Sequence, residues 1–328
     1  MKAIVVHEIG GPEVLTLEEV PTPGPMAGQV LVRIRAAGVN PYDTYMRNGV
    51  YTIKPPLPYT PGSDGAGDSE DVGEGVNKVK PGDRVYVAKT VTGAYAEYAL
   101  IQESQVHPLP AEITYAQGAG IWVPYGSAYH ALYQCARGRA GEAVLLHGAS
   151  GGVGVAAVQI ARAMGLTVLG TAGTQKGLEL VRREGAHHVF DHSHAGYFEQ
   201  ILKATSGLGV NLILEMLANV NLGQDLKLLA PQGRVVVIGS RGDVTISPTR
   251  PHDAARLDSR LYAVGRHRGR RKRDSCCTNR RDGEWHPAAS RRSCLSPRLL
   301  APTKTFWSPV PAARSFSFRN VRSFSVCD

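Results

Sequence analysis

Cysteine is nearly missing from the first three quarters of this chain. Of five cysteines in 328 residues, only Cys135 precedes residue 249. A single cysteine closes no disulfide framework and supplies no four-thiolate zinc lobe, so that stretch carries neither. No apolar run approaches the roughly 18 residues that a membrane-spanning helix needs. The apolar start stops at His7 and Glu8, short of a secretion-signal core, so a cytoplasmic protein with no membrane contact is expected. A composition of 43% hydrophobic and 20% charged residues excludes wholesale disorder, and the length suits two domains. The net charge of +9 belongs to one end only. Residues 1–248 hold 19 basic and 22 acidic side chains, whereas residues 249–328 hold 18 and 6.

From residue 1 to about 117, short β-rich runs alternate with Gly and Pro. Lys2–His7, Val14–Val20, Gln29–Ala36, Asp83–Ala88 and Ala94–Ile101 have strand composition, and only Pro41–Asn48 looks helical. Pro-Gly pairs at 23–24, 61–62 and 81–82 mark turns, because Pro fixes φ and Gly allows it to be positive. The expectation is an irregular, mostly antiparallel β domain that holds a substrate. One stretch disturbs it: Asp68, Ser69, Glu70 and Asp71 are four consecutive polar residues, which cannot alternate in and out of a core. An exposed edge or loop is expected there, unless the sequence itself is in error.

From 118 to about 248 the pattern changes to strands and helices in alternation. Ala143–Leu146, Thr167–Gly170, His188–Phe190, Val210–Leu214 and Arg234–Ile238 read as strands. Val153–Met164, Lys176–Glu184, Tyr197–Thr205 and Leu222–Leu229 read as helices between them. Right-handed crossovers then give a doubly wound parallel sheet, an α/β nucleotide-binding architecture. The first βα turn reads Gly148-Ala-Ser150-Gly151-Gly152-Val153-Gly154. Glycines there let the backbone turn sharply and approach a pyrophosphate, whose charge meets the free N–H groups of the next helix. The second strand ends at Thr171-Ala-Gly173 without the acid that would bind a ribose diol, while Lys176 and His192 follow closely. That favours a 2′-phosphate, hence NADPH over NADH. A solvated Lys176 and a surface His192 fit the same residues.

Several segments in order now carry a resemblance. They are Gly10-Gly-Pro-Glu-Val14, Ala37-Gly-Val-Asn-Pro41, Pro58-Tyr-Thr-Pro-Gly-Ser-Asp64, Lys80-Pro-Gly-Asp-Arg-Val85, Tyr95-Ala-Glu-Tyr98, the Gly148–Gly154 loop, Glu215-Met-Leu-Ala-Asn219 and Val237-Ile-Gly-Ser-Arg-Gly242. Over residues 1–248 the chain resembles the zinc-free medium-chain dehydrogenase/reductases, and among them the zeta-crystallin type. The resemblance implies a GroES-like domain (1–117), a Rossmann domain (118–248), NADPH as cofactor and a quinone as substrate. Enones or alkenals are the alternative substrates; a non-catalytic NADPH-binding crystallin or RNA-binding protein is the alternative of another class. Where zinc members carry a catalytic Cys and a Gly-His-Glu, this chain has Asn40 and Gly62-Ser63-Asp64, so no metal is expected. The resemblance places Asn40, Tyr45 and Tyr51 around the nicotinamide and substrate. It assigns cofactor contacts to Tyr45, Ser150, Gly151, Gly152, Val153, Gly173, His192, Asn221, Ile238, Gly239, Ser240 and Arg241, beside Lys176. Each also has a plain structural reading: packed aromatics for Tyr45 and Tyr51, helix caps for Ser150 and Asn221, and a solvated turn for Arg241. It further implies one-electron transfer, RNA binding and a homo-oligomer paired along the outer edge of the parallel sheet.

Residues 249–328 break the pattern. They contain no Ile, no Met and one Glu, against 16 Arg and 10 Ser, and Leu261–Val264 is the one short strand candidate. An out-of-frame or mispredicted segment, a disordered basic tail able to touch RNA through Arg266–Arg273, and a zinc or disulfide module all compete here. The expectation is that this tail leaves the fifth strand of the parallel sheet with an unpaired edge.

Overall fold

The computed structural model describes residues 1–51 and 54–244, together with the backbone of two short strands at 260–263 and 315–316. The basic cluster at 266–273 and the four late cysteines lie outside the described residues, as does the expected disorder of the tail. The chain divides into two compact units: residues 1–128, 149–157 and 309–328, and residues 129–148 and 158–308.

In the first unit, β1 (Lys2–Val6) and β2 (Leu15–Glu19) form an antiparallel hairpin. The main sheet contains β3 (Gln29–Gly38), β4 (Asp64–Val72), β5 (Arg84–Ala88), β6 (Tyr98–Gln102) and β7 (Val106–Pro108). Helix α1 (Pro41–Arg47) follows β3, and α2 (Tyr115–Gly118) and α3 (Trp122–Tyr129) come later. Val30, Val32, Ile34, Val85, Val87 and Ile101 form the core of this sheet. Each fully buried aliphatic side chain of this kind stabilises the fold by about 1.5–3 kcal/mol.

The polar run at 68–71 is not an edge or a loop: β4 is a central strand, hydrogen-bonded to β3 and β5. The physical reason is irregular pairing. Leu31 faces Asp71 while the next residue, Val32, faces Ser69, so Glu70 is an extra residue that breaks the alternation. A second bulge leaves Arg35 unpaired in β3, and its Nε donates to Asp68 Oδ2 at 2.8 Å. The Tyr115 hydroxyl donates to the other oxygen of Asp68. The Arg35 and Tyr115 bonds hold the Asp68 carboxyl below its usual range, against the opposing effect of partial burial.

In the second unit, β8 (Ala143–Leu146), β9 (Thr167–Ala172), β10 (His188–Asp191), β11 (Val210–Glu215) and β12 (Leu229–Val237) are all parallel. Helix α4 (Gly152–Ala163) leaves the glycine turn and runs across the boundary between the two sets of residues. Helices α5 (Gln175–Arg183), α6 (Tyr197–Ala204) and α7 (Ala218–Leu228) connect the later strands. The sheet order is β10-β9-β8-β11-β12-β13, the doubly wound order with its switch point between β8 and β11. Its strands are nearly continuous apolar runs because helices cover both faces. Leu145, Leu169, Ile201, Ile213, Leu228 and Val235 fill the core.

The expected bare edge is not there. Strand β13 (Arg260–Ala263) pairs in parallel with Arg234–Val237 of β12. It overlaps the one strand candidate of the tail, whose short β-prone run suffices for four residues of ladder. A two-residue strand, β14 (Ser315–Phe316), pairs with Ala37 and Gly38 of β3.

Candidate functional site

In the first unit the site residues gather at the start of α1. Asn40 precedes Pro41, which is preorganised for the first helical position and needs no N–H partner. The Asp43 carboxylate turns back to accept the Asn40 N–H at 2.9 Å and the Tyr95 hydroxyl at 3.2 Å. The Asn40 side-chain amide donates to Asp64 Oδ2 at 3.0 Å, and Val123 N–H donates to the same oxygen at 3.2 Å. Asn40, Asp43 and Asp64 are all buried, with Asp64 only 1% exposed. Burial pushes the Asp43 carboxyl up to about 6 and the Asp64 carboxyl up to about 7, and the bonds they accept offset only part of that. Asp43 Oδ1 and Asp64 Oδ1 remain buried without a hydrogen-bond partner.

One N–H of the Asn40 side-chain amide is thus engaged by Asp64. Tyr45 is half-buried on α1, and its carbonyl accepts from Val50 and Tyr51 N–H, each at 3.1 Å. The Tyr51 ring packs 6.0 Å from that of Tyr42. Asp43, Asp64 and Tyr95 were missing from the sequence-derived set. The signal was faint: Asp43 stands three residues after Asn40, the spacing of a reciprocal helix cap.

Of the other predicted residues, Gly173, Lys176, His192, Asn221 and 238–241 belong to the second unit, whereas Ser150–Val153 fall in the 149–157 segment grouped with the first. Gly148 has φ of +56°, a left-handed conformation, and its N–H donates to Thr171 Oγ1 at 3.2 Å. Beyond it Ser150, Gly151, Gly152 and Val153 open α4, with Ser150, Gly152 and Val153 half-buried and Gly151 exposed. Gly173, Lys176 and His192 are exposed around the ends of β9 and β10. A Cβ on Gly173 would stand 2.6 Å from His192 Nε2, so the imidazole lies against bare backbone there. Lys176 is the second residue of α5, whose first turn is capped by Thr174 accepting from Gly177 N–H at 3.1 Å. Asn221 donates from its side chain to Glu215 Oε1 at 3.2 Å. Ile238 N–H donates to the Glu215 carbonyl at 2.8 Å, and Arg241 N–H to Asn219 Oδ1 at 2.9 Å. Ser240 Oγ donates to the Gly242 carbonyl at 2.8 Å. Thr171 and Asn219, which lock these turns, escaped notice because neither belongs to a glycine motif.

Residues 26–111 match the alcohol dehydrogenase GroES-like domain, and residues 152–272 match the zinc-binding dehydrogenase family. The chain is 54% identical over 249 residues to the quinone oxidoreductase of Rattus norvegicus, covering 76% of each protein. The chain belongs to the quinone oxidoreductase family. These are zeta-crystallin-like members of the medium-chain dehydrogenase/reductase superfamily. The human quinone oxidoreductase is 53% identical over the same share. Among solved structures, the Escherichia coli quinone oxidoreductase complexed with NADPH has a TM-score of 0.71 at 31% identity, with 81% of each chain covered. An NAD-dependent alcohol dehydrogenase has a TM-score of 0.75 at 27% identity, covering 80% of this chain and 84% of its own.

Two groups implied by the family meet different receptions. A dinucleotide fits: a left-handed glycine turn opens a helix, and Gly173 presents bare backbone beside exposed Lys176 and His192, with no acid at the end of β9. A catalytic zinc does not fit. The matching positions are Asn40 and Gly62-Ser63-Asp64, the Asn40 amide is bonded to Asp64, and among the described residues no group of three His, Cys, Asp or Glu donors gathers there.

Proposed function

We propose that this protein reduces quinones with NADPH, without zinc. The observation that carries the reading is the identity of 54% to a quinone oxidoreductase across three quarters of both chains. The cofactor supplies the reducing electrons when bound. The protein's own work is binding, orientation and exclusion of water. Lys176 and His192 hold the 2′-phosphate, the amides opening α4 hold the pyrophosphate, and Asn221 with residues 238–241 shapes the remaining contacts. Tyr45 and Tyr51 line the substrate side. Asn40 acts through Asp64 and Asp43, fixing the start of α1 so that Tyr45 is held in place. Quinones accept electrons readily, so the arrangement requires neither a carboxylate pair nor a triad.

The division at residues 117 and 248 into substrate and cofactor regions belongs to this proposal, as do a cytoplasmic location, RNA binding and self-association. Among the described residues, no helix is long and apolar enough to cross a membrane. A second reading, enone or alkenal reduction, is favoured by the CurK enoyl reductase structure, with a TM-score of 0.71 at 26% identity. NADPH oxidation with an ortho-quinone, with an alkenal and with no acceptor separates the two. Turnover with the quinone is expected, and turnover with the alkenal alone refutes the first reading.

A further inference from the structure

Strands β8 and β11 flank the switch point of the parallel sheet, the place where an open α/β sheet binds its ligand. Immediately beneath it lie three titratable side chains that the proposed chemistry does not use. His147 follows the last residue of β8, Glu215 ends β11, and Asp225 reaches in from α7; they are 3%, 0% and 0% exposed. His147 Nε2 lies 2.8 Å from Asp225 Oδ1 and 3.5 Å from Glu215 Oε2. Glu215 Oε1 accepts from Leu217 N–H and from the Asn221 amide. The other two oxygens, Glu215 Oε2 and Asp225 Oδ2, are buried without a hydrogen-bond partner. Two ionised carboxylates in this position, around one imidazole, would leave net negative charge in a buried interior, which is strongly unfavourable. One proton held between the carboxyl groups halves that charge, from two negative charges to one beside a neutral imidazole, and lets one carboxyl donate to the other.

We infer that His147, Glu215 and Asp225 are a proton-sharing positioning unit: one proton held between the two carboxyl groups keeps the Gly148 turn and the 215–221 segment in the shape that accepts a pyridine nucleotide. The inference rests on the nucleotide-binding reading above. Its reach comes from Glu215, whose side chain ties down Leu217 and Asn221 while its main-chain carbonyl accepts from Ile238 and Gly239 N–H. Ala218 N–H closes the arrangement by donating to the Gly239 carbonyl at 3.0 Å. His147 is covalently next to Gly148. Burial pushes Glu215 and Asp225 each up to about 7 and holds His147 below its usual value, so the proton resides on the acids. Tyr197 of α6 also faces the cluster; burial and the two carboxylates push its hydroxyl up to about 12, so it stays neutral. Above pH 7 the shared proton leaves, the two anions repel, and nucleotide affinity falls. A shared zinc ion suits the cluster less well. Tetrahedral bonds of about 2.0–2.1 Å would spread the donor atoms to more than about 3 Å, whereas Nε2 and Oδ1 stand at hydrogen-bond distance.

The test is the Kd for NADPH between pH 6 and 8.5, for the full chain and for Asp225→Asn and Glu215→Gln. Taking the ratio of wild type to variant cancels titration of the 2′-phosphate. Wild-type binding is expected to weaken relative to both variants by about tenfold across that range, since one linked proton changes an equilibrium up to tenfold per pH unit. A constant ratio overturns the inference, as does one equivalent of tightly bound zinc in the purified protein. Should neither variant fold, the wild-type affinity for NADH decides, because NADH has no 2′-phosphate; a flat profile overturns the inference. A wild type that binds neither nucleotide at any pH refutes the functional reading as well, whereas tight binding with a constant ratio refutes the positioning unit alone.

Discussion

Replacing Asp64 with Asn should stabilise the protein at pH 8, although it removes a buried, hydrogen-bonded side chain. Asp64 is 1% exposed, and burial raises its carboxyl from an ordinary 3.8 to about 7. A carboxyl with a raised folded-state pKa binds its proton more tightly folded than unfolded. Between pH 4 and 7 the folded state therefore holds the extra proton, and stability falls as pH rises through that window. Above about 7 the full penalty of a buried anion is present. At about 1.4 kcal/mol per pH unit, the rise from 3.8 to about 7 corresponds to about 4 kcal/mol.

In Asp64→Asn the amide oxygen takes the place of Oδ2 and still accepts from the Asn40 amide and Val123 N–H, so the two observed bonds survive. The measurement is urea denaturation of both proteins at pH 5, 6, 7 and 8. The difference should move in favour of Asp64→Asn by about 1.4 kcal/mol per pH unit up to pH 7, then level off. A difference that stays constant across the series would falsify the account. Asn40→Ala makes the complementary case: it removes a donor from a buried carboxylate and should cost about 1–3 kcal/mol at pH 8.

Further outcomes follow from the nucleotide side and from the tail. Lys176→Glu should weaken NADPH at least tenfold more than NADH, the order expected when a charge-assisted phosphate contact becomes a repulsion; equal losses would put Lys176 outside the site. Gly173→Val should leave the melting curve nearly unchanged, because the new side chain meets the movable His192 ring rather than backbone, yet it should weaken NADPH binding; unchanged affinity would remove His192 from the phosphate site. A chain ending at residue 248 should aggregate more readily than one ending at 272, because only the longer one keeps β13 on the edge of β12. Equal solubility and equal melting would show that β13 contributes nothing to the edge.

How much could be read in advance depends on whether the signal is local. Four strands of the parallel sheet were legible to within two residues, because a strand buried on both faces is a short apolar run, as Ala143–Leu146 is, whereas β12 begins at Leu229, five residues before the expected Arg234. The glycine turn was legible because glycine adopts φ of +56° at no steric cost. The central position of β4 was hidden, since its polar residues are accommodated by two bulges and by Arg35 and Tyr115, which come from distant parts of the chain. Long-range partners leave no periodic trace. For the same reason Asp43, Tyr95 and Asp225 could not be assigned from the sequence: each is an isolated polar residue whose meaning comes from what folding brings beside it. In the tail the strand candidate Leu261–Val264 was legible but its pairing was not, because four residues can satisfy an edge without needing a core face.

Both described units thus meet the same electrostatic problem in the same way. Asp43 and Asp64 in one, and Glu215 and Asp225 in the other, are pairs of buried carboxyls with one oxygen of each residue left unpartnered. Each pair is tied to backbone at the start of a helix: Asn40 and Val123 N–H in the first, Leu217 N–H in the second. An apolar pair would pack as well without the desolvation cost, so packing alone does not account for them. What carboxyls add is direction. A bond to an N–H fixes where a helix begins, and α1 carries Tyr45 while α7 carries Asn221. The cost in stability therefore falls where side-chain placement matters most.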